Sequence, residues 1–176
     1  MTLYLVESEL NGKVDNKNDF ESKVSSIQDK LKENEVSLIE VQVSKDFSRG
    51  FFILEGEDAQ TIQDNLKAQD VSIQLIKEVR LVGKELDEVK KQAEQVNYLV
   101  EWNIPEELTM DNYLERKKKN SIHYAEVPEV SFSRTYVCED MSKCLCFYDA
   151  PDESSVKRAR EAVKTPIDSI TEINAD

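Results

Sequence analysis

The feature that most constrains this chain is a sequence written twice. Tyr4-Leu5-Val6-Glu7 returns as Tyr98-Leu99-Val100-Glu101, an offset of 94 residues. The same offset carries Val36-Ser37 onto Val130-Ser131, Val43 onto Val137 and Asp46 onto Asp140. It carries the apolar run Phe51–Leu54 onto Leu145–Tyr148, Gly56-Glu57-Asp58 onto Ala150-Pro151-Asp152, and Ile73 and Ile76 onto Ile167 and Ile170. A constant frame of this kind is the signature of a repeated structural unit. It divides the chain into residues 1–83, a connector over 84–95, and residues 96–176.

Periodicity gives each copy a βαββαβ order. Opening strands fall at 2–8 and 97–103, and first helices at 19–34, with Phe20, Val24, Ile27 and Leu31 at helical spacing, and at 109–124. Hairpins follow over 36–44 with 50–55, and over 130–138 with 144–149. Second helices at 57–69 and 152–164 lead into closing strands at 71–82 and 167–173. The order implies an α+β fold of two tandem ferredoxin-like modules, each an antiparallel sheet with both helices on one face. So small a module must cover its other sheet face. The copies are therefore expected to pack sheet to sheet as an intramolecular pseudo-dimer; the alternative is a homodimer that covers the same faces. The connector is rich in helix formers, and Leu86, Val89, Ala93 and Val96 make a narrow apolar stripe.

The charge excludes some partners. The net charge of −13 is shared almost equally between the two halves, so it describes a solvated surface that repels nucleic acid and anionic membranes. No apolar run is long enough to span a bilayer, and the first ten residues lack a basic n-region. A cytoplasmic protein is expected.

The second copy resembles a family of small, mostly single-module ferredoxin-like proteins long labelled a domain of unknown function, with a nickel-binding bacterial member. The resemblance rests on Tyr98-Leu99-Val100-Glu101, on Arg134-Thr135-Tyr136-Val137 with Asp140, and on Cys146-Phe147-Tyr148-Asp149-Ala150-Pro151. It continues through Val156 and Ala159 to Pro166. The first copy departs at the distinctive positions: Glu40 replaces the Arg, Phe52 the Cys, Leu54 the Tyr and Gly56-Glu57 the Ala-Pro. The resemblance implies a dimeric α/β sandwich and binding of a divalent transition metal, and it implies no catalysis.

The three cysteines, Cys138, Cys144 and Cys146, are odd in number and form no C-x-x-C pair, which argues against a disulfide framework or a common zinc motif. If Cys138 pairs opposite Cys144, then Arg134, Tyr136, Cys138, Cys144, Cys146 and Tyr148 share the sheet face away from the helices. Val137, Leu145 and Phe147 would then lie under the helices, as would Val41, Val43, Phe51 and Ile53 in the first copy. A one-residue change of pairing would disperse that cluster. Three sulfurs together suit nickel or zinc, with Asp140, Glu101 or His123 completing a mixed site. The cysteines alternatively fill core space or carry a redox role. Arg134 forms either an ion pair with Glu40, Glu101 or Glu7, or an anion anchor walled by Tyr136 and Tyr148.

His123 reads as a surface or capping residue, Arg116 with Lys117-Lys118-Lys119 as a solvated helix face, and Trp102 as lining either a pocket mouth or, the preferred reading, the seam between copies. Three functions follow. One is a metal-binding protein acting through the second copy. Another is a small-molecule binder or cofactor-free enzyme with a pocket between the sheets. The last is a pocketless interaction module. No residue constellation carries a recognisable reaction, which favours the binding class.

Overall fold

The computed structural model describes residues 2–10, 14–91 and 95–173. The chain forms two compact units, Met1–Val79 and Arg80–Asp176. The first unit begins with β1 (Thr2–Glu9), α1 (Lys17–Glu33), β2 (Ser37–Val43) and β3 (Arg49–Gly56), and continues with α2 (Ala59–Ala68) and β4 (Leu75–Val82). Its strand order is β2-β3-β1-β4, with antiparallel neighbours. The helices pack on one sheet face, where Tyr4, Val6, Phe52 and Leu54 meet Ile27, Leu31, Ile62 and Leu66.

The second unit contains the short α3 (Leu86–Lys91), β5 (Tyr98–Asn103) and α4 (Met110–Asn120), which runs into a 3-10 turn over Ser121–Glu126. Then come β6 (Ser131–Cys138), β7 (Lys143–Asp149), α5 (Glu153–Ala162) and β8 (Ser169–Glu172). The strand order, β6-β7-β5-β8, is that of the first unit. It is the arrangement expected of a ferredoxin-like βαββαβ module. Val89 of α3 is buried, as the connector stripe requires, while Ala93 of that stripe lies outside the described residues. No helix among the described residues is long and apolar enough to cross a membrane.

Local chemistry recurs 94 residues apart. Asp58 and Asp152 cap α2 and α5, each accepting from the backbone N–H three residues on at 2.7 Å. In the hairpin turns Asp46 and Asp140 each accept from the N–H and hydroxyl of Ser48 and Ser142. Phe47 and Met141 there take positive φ angles of 60° and 63°. The Ser48 hydroxyl first, then Ser44, holds the Asp46 carboxyl down at about 2. Asp70 and Lys164, with φ of 61° and 55°, end α2 and α5. Glu7 pairs with Arg49 at 2.7 Å, and Glu101 with Lys143 at 2.8 Å. Both hairpins also carry a register irregularity, between Leu38 and Glu40 and between Phe132 and Arg134.

The hairpin pairing differs from the expected one by a single residue. Val137, not Cys138, stands opposite Cys144, and Val43 stands opposite Gly50. The reason is the turn. Its Asp-to-Ser hydrogen bonds and one left-handed residue close it over Cys138–Lys143, and the Met141 N–H bonds the Cys138 carbonyl at 2.9 Å. A shift of one residue turns every side chain of β7 and β3 to the other face. So Phe52, Leu54, Cys144, Cys146 and Tyr148 lie under the helices. Phe51, Ile53, Leu145 and Phe147, expected under the helices, point the other way.

Candidate functional site

The corrected register divides the expected cysteine cluster. Cys144 and Cys146 are neighbours on the helix side of β7. Cys138 follows Val137 on the opposite side of β6, fully buried, with its thiol pushed up by burial. Asp140 is engaged in the turn by Ser142. His123 lies in the 3-10 turn, paired through Nδ1 with Glu126. These five residues are not brought together. Among the described residues no group of three or more His, Cys, Asp or Glu side chains is placed to hold a metal ion. The donors present do not fit a nickel or zinc centre.

Of the second set within the second unit, Tyr148 lies on the other sheet face from Arg134, Tyr136 and Glu101. Arg134 stands opposite Phe147, not Tyr148, with its guanidinium 5.2 Å from that ring and Nη1 donating to the Ser133 hydroxyl at 2.6 Å. Tyr136 stacks edge-on to Phe147, and Glu101 holds Lys143, all on the face away from the helices of the second unit. Glu40 belongs to the first unit, where it accepts from Gln42 at 3.2 Å. Tyr148 alone of the set faces the helices.

Between that helix-side face and α4 and α5 lies a pocket, entirely within the second unit. Its walls include Trp102, Tyr113, Tyr124, Cys144, Cys146 and Arg160, with Arg116 and Lys117 at one side. The enclosed space is about 20 Å³, room for one water or a species of similar size. The basic run is therefore not wholly a solvated face. Arg116 lies over the Trp102 ring and donates to the Lys164 carbonyl, and Lys117 lies 4.3 Å from the Phe132 ring. Trp102 belongs to this core, lines the pocket and lies 6.2 Å from Tyr113.

Arg160 organises the pocket. It is 2% exposed; Nη1 donates to Cys146 Sγ at 3.3 Å and to the Tyr148 hydroxyl at 3.0 Å, and Nη2 donates to the Pro166 carbonyl at 2.7 Å. Its Nε has no partner among the described residues. Tyr148 and Tyr124 hydroxyls are 2.6 Å apart, and the Thr135 hydroxyl donates to Cys146 Sγ at 3.3 Å. A hydrogen bond from Cys144 holds the Cys146 thiol well below the usual cysteine range, against burial, with Lys117, Arg160 and Thr135 adding to the effect. The same bond, followed by burial, pushes Cys144 up. Burial raises Tyr113, Tyr124 and Tyr148, so these phenols stay neutral donors.

The first unit supplies a comparison at the same fold positions. Where the second unit has Thr135, Cys146, Tyr148 and Arg160, the first has Val41, Phe52, Leu54 and Leu66, all in its apolar cores. Sequence reading passed over Arg160, yet its signal was present. Val156, Ala159, Arg160 and Val163 form one helical stripe, and a charge within such a stripe is an anomaly.

Residues 98–173 match the model of a family described as nickel responsive protein SCO4226-like. No curated protein matches the chain. Among solved structures, a provisionally named chlorite dismutase, TA0507, is similar with a TM-score of 0.58 and 14% identity, over 99% of this chain and 95% of that one. A provisionally named monooxygenase from Lactobacillus acidophilus is similar with a TM-score of 0.53 and 10% identity, over 99% of this chain and 94% of that one. At these identities the likeness is one of fold.

Proposed function

We propose that this chain is a binding protein whose site is the pocket of the second unit, and that it takes a small hydrogen-bond acceptor, neutral or anionic, against Arg160. The observation that carries this is Arg160 itself, a buried guanidinium with an unpartnered Nε where the other unit has the buried Leu66. Leaving a buried N–H unpaired costs about 1–3 kcal/mol. The fold accepts an apolar residue at that place, so the polar set is not needed for folding. Arg160 lines the pocket, so an acceptor bound there lies against this cation. The test is thermal unfolding in nitrate, formate and chloride. The wild type is expected to gain stability with concentration of at least one of them at constant ionic strength, and Arg160→Leu is expected to gain none. A wild type indifferent to all three ends this reading.

The same reading takes the two units as copies of one duplicated module, of which the first has lost the site and keeps a structural role. It is supported by the caps, turns and ion pairs that recur at one offset.

A second reading, binding of a divalent transition metal such as nickel, is favoured by the family match over residues 98–173. The expected donors Cys138, Cys144, Cys146, Asp140 and His123 stand apart, so this reading requires ligands that the folded chain does not group. Equilibrium dialysis against nickel and zinc decides it. Stoichiometric uptake lost in Cys144→Ser with Cys146→Ser supports it, and no uptake removes it.

A further inference from the structure

We infer that Cys146 is a nucleophile toward small hydroperoxides, hydrogen peroxide first among them, and that its product in this pocket is a sulfenic acid. The inference names a substrate for the same pocket, and it rests on the reading that the pocket admits a small molecule.

Three structural observations carry it. Cys146 Sγ accepts from two fixed donors, the Thr135 hydroxyl and Arg160 Nη1, each at 3.3 Å. No carboxylate is seen paired with Arg160 among the described residues, so the sulfur is the anion available to that buried cation. The space beside the sulfur, about 20 Å³, matches a molecule little larger than water and excludes bulkier electrophiles. The Arg160 guanidinium lines the same space, so its positive charge lies beside a peroxide held there. Cys144 lies beside Cys146 on the same face of β7. The first unit, with Phe52 and Leu66 at these positions, has neither nucleophile nor cation.

The step balances without a cofactor. The Cys146 thiolate attacks one oxygen of hydrogen peroxide, an S–O bond forms and the O–O bond breaks. Sulfur gives up two electrons, and the departing oxygen leaves as hydroxide, which takes a proton from solvent at the pocket mouth to become water. The product sulfenic acid keeps its hydrogen bonds to Thr135 and Arg160.

The full-length protein is treated with hydrogen peroxide, the peroxide is removed, the protein is unfolded in the presence of dimedone, and the labelled peptides are identified by mass. The expected label is on Cys146, at least tenfold faster than on any other cysteine. Cys138→Ser labels at the wild-type rate, Cys146→Ser does not label, and Arg160→Met labels at least tenfold more slowly while its circular dichroism is unchanged. Ultraviolet thiolate absorbance at neutral pH is read on the same samples. Thiolate absorbance without label overturns the inference, as does label that persists in Cys146→Ser. Anion-induced stabilisation that survives in Cys146→Ser alongside an unlabelled wild type overturns the peroxide chemistry alone. Absence of both overturns the binding reading with it.

Discussion

At the scale of residues, the second unit keeps a guanidinium and two thiol side chains inside a core that its counterpart builds from hydrocarbon. Arg160→Ala removes the hub of the network and most of a buried side chain, so a loss of about 3 kcal/mol is expected in chemical denaturation. Replacing Thr135, Cys146, Tyr148 and Arg160 together by Val, Phe, Leu and Leu copies the first unit, and the quadruple variant is expected to fold with stability at or above that of the wild type. Cys146 also sets a pH dependence. Its folded value is depressed, so its contribution to stability is complete above the ordinary cysteine value of about 8.5 and fades as pH falls through the folded value. The stability difference between wild type and Cys146→Ser should therefore grow from acid to mildly alkaline pH. A difference that shrinks over that range would contradict the assignment.

At the scale of elements, caps and turns decide what can be read from sequence. Thr109 caps α4, its hydroxyl accepting from the Asn112 N–H. Thr109→Ala is expected to cost about 1 kcal/mol in thermal or chemical unfolding. Lys164 ends α5 in the left-handed region and is exposed, so Lys164→Gly should stabilise by about 0.5–1 kcal/mol. The number and order of elements followed from apolar periodicity, because helix and strand periods are distinct over a dozen residues. Hairpin pairing did not follow, because it depends on how many residues the turn consumes. The Asp140–Ser142 bonds and the φ of Met141 set that number, and periodicity does not record them. One residue of difference sent Cys146 and Tyr148 under the helices and left Cys138 and Arg134 behind. Thus the residues of the site were largely visible as unusual types, while their grouping was not. Arg160 was missed because attention fell on the strands, although its place in the α5 stripe marked it.

At the scale of the whole molecule, the chain is symmetric in its scaffold and asymmetric in its chemistry. Thirteen net negative charges spread over both halves repel one another, so added salt should raise the melting temperature before any specific binding occurs. That background must be subtracted when anions are compared, which is why ionic strength is held constant in the binding test. The asymmetry extends to light. Trp102 is the chain's single tryptophan, and it forms a wall of the pocket beside the Arg116 guanidinium and the Tyr113 ring. The indole emission of this protein therefore comes wholly from the half that carries the chemistry. A ligand settling against Arg160, or an oxygen added to Cys146, alters the field and the quenching around that one fluorophore. The apolar twin contributes no background, so the molecule carries its own optical gauge of the pocket, without a label.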